Sequence, residues 1–203
     1  MAESSRRAER GLAPLACSLL LAALATTGCS VGVGSGEIVG TVSAPDCGLL
    51  EEALDVNPTF FVASPLPEGL EMRFQRGSSF PDVSDGLAVT LLGVETAHER
   101  LGEPMSLGSL MGSEFRRGAR AAMTLYLNAT CPPDRERVPV VLSATEGRIV
   151  FESLHVPGSG SAEGEIAARF ERVRAADSLG REARFSGWFR FVFNRGRPAQ
   201  RFP

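Results

Sequence analysis

Few side chains in this sequence stand at spacings that chemistry requires. There are only two histidines in 203 residues, His98 and His155. His98 lies between Glu95 and Glu99, which on a helix would set an imidazole beside a carboxylate, but a surface histidine among charges is the commoner meaning of that pattern; His155 is isolated. The stretch Asp82, Val83, Ser84, Asp85, Gly86 opens like a calcium loop yet lacks the further oxygens and the later bidentate carboxylate, so a solvated turn is expected and no metal site is assigned. No G-x-S-x-G elbow occurs. The glycine-rich stretches 32–36 and 158–164 have no P-loop lysine, because all 21 basic residues are arginine. The sequence therefore nominates no catalytic residue and no cofactor.

The cysteines are more informative. Fourteen residues, Leu12 to Ala25, carry no charge and follow a segment holding Arg6, Arg7 and Arg10. Charged then apolar is the order of a secretory signal peptide, and an apolar helix of that length, at about 1.5 Å per residue, is too short for a hydrocarbon core of roughly 30 Å. The run closes on Thr26, Thr27, Gly28, Cys29. That ending resembles bacterial lipoprotein precursors, in which small residues lead to an obligatory cysteine. The resemblance implies that residues 1–28 are a signal peptide, that cleavage falls before Cys29, and that its thiol receives diacylglycerol and its freed amine an acyl chain such as palmitate. It also implies a membrane anchor and a place in the cell envelope, at the outer membrane, facing the periplasm or the surface.

Removing residues 1–28 leaves 175, enough for one domain with a real core. Residues 30–36, SVGVGSG, suit a short flexible tether after the anchor, which places a single β-rich domain at 37–203. The leader takes three arginines and two glutamates from the 21 basic and 24 acidic residues, so the mature charge is −4. Nothing in that balance marks a nucleic-acid partner. With Cys17 in the leader and Cys29 assigned to lipid, Cys47 and Cys131 remain. In an oxidising compartment a disulfide between them is the economical reading, and two separate buried thiols the alternative.

Strand signals dominate the domain. Leu70, Met72 and Phe74 alternate with Glu71, Arg73 and Gln75, and Ala121, Met123, Leu125 and Leu127 repeat the pattern. Leu87 to Val94 is apolar on both sides, as in the middle of a sandwich. Further strands are expected at Glu37–Ser43 and Thr59–Ala63, with a turn of helix within Gly48–Val56. Val138–Ala144 and Arg148–His155 read as a hairpin turned by Thr145, Glu146 and Gly147. Glu165 to Ala176 fits a helix through Ile166, Phe170 and Val173 and a strand through Ile166, Ala168 and Phe170; a strand with a bulge near Arg172 is preferred. The 97–118 connection loses the pattern and has room for a short helix around 107–115. About nine strands with Gly- and Pro-rich turns predict an all-β fold, an antiparallel β-sandwich or a barrel-like closure of it.

The strongest alternation is the last, Phe185 to Phe193, where Phe185, Phe189, Phe191 and Phe193 flank Gly187 on one side. Trp188 falls on the other, with Ser186, Arg190 and Val192. If that side is wet, Trp188 and Arg190 form a binding surface for a glycan or a protein; if not, the indole is ordinary core beneath the 97–118 connection. Two functions follow as expectations: an envelope lipoprotein with a structural or protein-interaction role, or a carbohydrate- or peptide-binding module displayed on the membrane.

Overall fold

The computed structural model describes residues 30–67, 69–77, 80–108, 120–134, 138–155 and 163–194. In chain order the elements are β1 (Ser30–Ala44), β2 (Leu49–Val56), β3 (Phe60–Leu66), β4 (Gly69–Arg76), β5 (Asp85–Leu92), helix α1 (Val94–Glu99), β6 (Pro104–Ser106), β7 (Arg120–Leu127), β8 (Val141–Leu154), β9 (Glu163–Ala176) and β10 (Glu182–Asn194). Strands β1, β3, β4, β5, β7, β8, β9 and β10 lie side by side in that order, and β10 pairs back onto β1. All the pairings between them are antiparallel. Of the two all-β forms expected, the chain takes the closed one: an up-and-down barrel of eight strands, with β2 added beside β1 and β6 beside β8.

Alternation decides which side chains fill the barrel. Leu70, Met72 and Phe74 of β4, Leu87, Val89 and Leu91 of β5, and Met123 and Leu125 of β7 are at most 1% exposed and belong to one core. Phe74 stacks on Phe189 with ring centroids 4.0 Å apart, and Phe61 on Phe191 at 5.7 Å. An eight-stranded barrel is just wide enough for side chains to fill, and here aromatic rings fill it. The outward positions of β9 and β10 carry Glu165, Arg169, Arg174, Arg184 and Arg190. On these two strands apolar inside and charged outside is the reverse of the pattern of a membrane-spanning barrel.

The barrel closes where large residues meet absent ones. Gly34 pairs with Phe191, Gly36 with Phe189 and Gly40 with Phe185, while Ile38 pairs with Gly187. A Cβ on Gly34 would collide with the Arg190 carbonyl and the Phe191 Cβ, and one on Gly36 would come 2.9 Å from the Trp188 carbonyl. The stretch 30–36, expected to be a flexible tether, is therefore the first half of β1. Its glycines make space for rings rather than freedom for a linker.

Two more expectations are corrected. Gly48–Val56 is a strand from Leu49 onward, because pairing with β1 buries Leu54 and Val56 at alternate positions. The expected hairpin over 138–155 is one strand, β8, that runs along β9 with register shifts at Ala144/Glu146, Glu146/Arg148 and Phe151/Ser153. Gly147 sits at φ +136°, where its missing side chain lets the strand bend past Val173, 2.9 Å from where a Cβ would sit. Helix α1 reaches into the start of the 97–118 connection, and β6 and a bridge from Leu107 to Ala121 follow; the helix expected around 107–115 lies, beyond Gly108, outside the described residues.

In β9 the bulge falls at Arg172 as expected. Its φ is +53°, and β9 spends one residue more than β10 between the Phe170–Gly187 and Val173–Phe185 pairs. The extra residue turns both Glu171 and Arg172 outward and returns Val173 and Ala175 to the core. This shift of phase is why the segment matches both a helix and a strand.

Candidate functional site

Two of the residues that the sequence singles out for binding come together on the outer wall of the barrel. Because β10 sends Phe185, Phe189 and Phe191 inward, Trp188 and Arg190 face out, and Trp188 is 42% exposed. Trp188 lies between Glu37 of β1 and Arg169 of β9 in register, and Arg190 between Ser35 and Ala167. Val33 pairs with Val192 and Val39 with Ser186 along the same seam, and all three valines are exposed.

Charges brace this strip. Arg169 Nη1 donates to Glu152 Oε1 of β8 at 2.6 Å, and Arg190 reaches Glu152 at 3.7 Å and Glu165 at 3.9 Å. Each exposed pair is worth at most about 1 kcal/mol, so the network holds the arginine heads in place more than it stabilises the fold. Trp188 thus stands on an outer strip between Glu37 and Arg169, with Arg190 two residues along β10, an arrangement suited to packing and stacking. Arg169, Glu152 and Glu165 were not singled out in the sequence; their outward phase is readable within each strand, but their meeting depends on cross-strand register.

The other residues that the sequence singles out have structural partners. His98 lies on α1, with Nδ1 2.9 Å from the Leu154 carbonyl, and so fastens the helix to β8. His155 is half-buried, and burial lowers its pKa. Asp85, expected in a solvated turn, is instead 1% exposed. It accepts hydrogen bonds from the backbone N–H groups of Ala129 and Thr130, both at 2.9 Å, and from Thr130 Oγ1 at 2.6 Å, with Arg76 at 3.5 Å. Its carboxylate caps the turn after β7. Cys29 lies outside the described residues.

Cys47 and Cys131 form a disulfide, with Cα atoms 5.7 Å apart. It ties the turn after β1 to the turn after β7. Beside it Arg181, 3% exposed, donates to Asp177 at 2.5 Å and to the carbonyls of Val138 and Pro139, and pairs with Asp46 at 3.4 Å. Burial works against ionisation of Asp177, but the hydrogen bonds from the Arg181 side chain and from the backbone of Arg181 and Leu179 outweigh it and lower its pKa. One end of the barrel is therefore locked covalently and by a buried ion pair. Comparison with family models, with curated proteins and with solved structures finds no match to this chain.

Proposed function

We propose that this chain is a membrane-anchored envelope lipoprotein with a structural or protein-interaction role, held by lipid on Cys29 and docking a protein partner of the envelope through the outer strip of β10. The anchor rests on the apolar run that ends in Thr26, Thr27, Gly28 and Cys29. The observation that carries the docking surface is the exposure of Trp188, the chain's single tryptophan, at 42% on a strip with Val39 and Val192 at 41% and 40%. A large aromatic side chain beside arginine is the usual composition of an interface anchor. A second reading, a carbohydrate-binding module, draws on the same indole, since a sugar ring stacks on an exposed aromatic face.

Expression of the full chain in a host that acylates lipoproteins tests the anchor. Wild type is expected in the membrane fraction with an acylated N-terminal Cys29, and Cys29→Ala in the soluble fraction; an unmodified N-terminus at another residue overturns it. A photo-crosslinking residue at position 188 tests the surface. A discrete protein adduct, lost when the crosslinker is moved to Glu171, supports docking, whereas quenching of Trp188 emission by soluble glycans with no protein adduct supports the carbohydrate reading.

A further inference from the structure

The bulge in β9 opens a groove of about 400 Å³ on the outer wall, one step along β10 from Trp188. Arg172, Arg174 and Arg184 line it, together with Val39 and Ser186, and none of its described lining residues is acidic. Two features make it unlike an ordinary charged surface. Arg174 and Arg184 are direct cross-strand partners, an arrangement of like charges that destabilises a sheet. Arg172, the third, holds a left-handed backbone, φ +53°, where glycine would be relaxed. Its N–H donates to Ser186 Oγ at 3.1 Å, which pins the bulge and leaves the serine hydroxyl hydrogen to donate elsewhere.

Neighbouring carboxylates only partly offset this charge. Glu146 lies 3.8 Å from Arg174, Glu171 pairs across the sheet with Arg148, and Glu182 precedes Arg184 by two residues on the same face. Among the described residues Arg172 and Arg184 have no ion-pair partner. We propose that this groove is an anion site for a phosphate group. Three guanidinium forks and a hydroxyl supply more donors than a carboxylate's two oxygens use, and a tetrahedral phosphate offers oxygens to all of them. A bound dianion would also screen the repulsion between Arg174 and Arg184. The site stands whether or not Cys29 carries lipid and whether or not Trp188 docks a partner.

The test is a titration of the full chain with inorganic phosphate, followed by calorimetry and by thermal melting, against sodium acetate and sodium chloride at matched ionic strength. Phosphate is expected to bind and raise the melting temperature where acetate and chloride do not, and Arg184→Gln should weaken it about tenfold. Arg172→Gly is the discriminating variant: it should melt no lower than wild type, because glycine suits that backbone, yet lose phosphate affinity to a similar degree. Glucose 6-phosphate and glycerol 3-phosphate then separate a sugar-borne group from a lipid-headgroup-like one. An equal response to acetate or chloride, or an undiminished response to phosphate in the Arg172→Gly/Arg184→Gln double variant, overturns the proposal.

Discussion

Two halves of the barrel wall use the same strand alternation and end up with opposite outer faces. On β3, β4 and β7 several outward positions are withdrawn from water: Phe60, Val62, Ala122 and Tyr126 are 4 to 5% exposed and Gln75 is wholly buried. On β1, β10 and β9 the outward positions include Val39, Trp188 and Val192, all 40% exposed or more, and a row of arginines. In the first half the Tyr126 hydroxyl donates to Gln75 Oε1 at 2.8 Å and Gln75 Nε2 donates to Ser84 Oγ at 3.5 Å. Burial there raises the pKa of Tyr126, so its hydroxyl remains a donor at all ordinary pH values. The second half keeps its arginines at the surface, Arg169, Arg174 and Arg190 beside glutamates and Arg172 and Arg184 with no ion-pair partner among the described residues. One wall draws aromatic and polar side chains out of water, and the other exposes valines, an indole and arginines.

Substitutions rank the two walls and the core they share. Phe191→Ala strikes the interior at the closing seam, where the ring packs against both Phe61 and Phe74, and should cost about 3 to 5 kcal/mol, enough to lower the melting temperature severely or prevent folding. Reduction of Cys47–Cys131, which closes a separation of 84 residues, should cost about 2 to 5 kcal/mol, read as a lower denaturant midpoint with dithiothreitol present. Tyr126→Phe, on the withdrawn wall, should cost about 1 to 2 kcal/mol in the same measurement. Trp188→Ala, on the exposed wall, should stay within about 0.5 kcal/mol while removing the proposed docking. If Trp188→Ala costs as much as Tyr126→Phe, the two walls are alike and the indole is structural.

Much of the barrel was legible because period-two alternation is a local signal. It placed β4, β7, β9 and β10 within a few residues, set Trp188 out of phase with the phenylalanines, and located the bulge at Arg172. What failed was decided by partners distant in sequence. Gly32, Gly34 and Gly36 look like a linker by composition, and only Phe189 and Phe191 opposite them give those glycines a purpose. Leu49 to Val56 has too few apolar residues to announce a strand and becomes one by pairing with β1. The arginine groove was hidden for the same reason: Arg172 and Arg174 are near in sequence, but Arg184 joins them only through register.

The start of β1 has a mechanical consequence. Strand pairing begins at Ser30 with Ala63 of β3, so a lipid on Cys29 would be separated from the wall by a single peptide step of about 3.8 Å, where seven extended tether residues would have reached roughly 25 Å. Such a protein has no leash: it could not sweep the space above the membrane, and any partner would have to come to it. A pull between the membrane and the barrel would enter along β1 and be shared lengthwise by the rungs from Gly32–Phe193 to Ser43–Glu182. The seam of glycines and phenylalanines would then be the part of the molecule that bears the load.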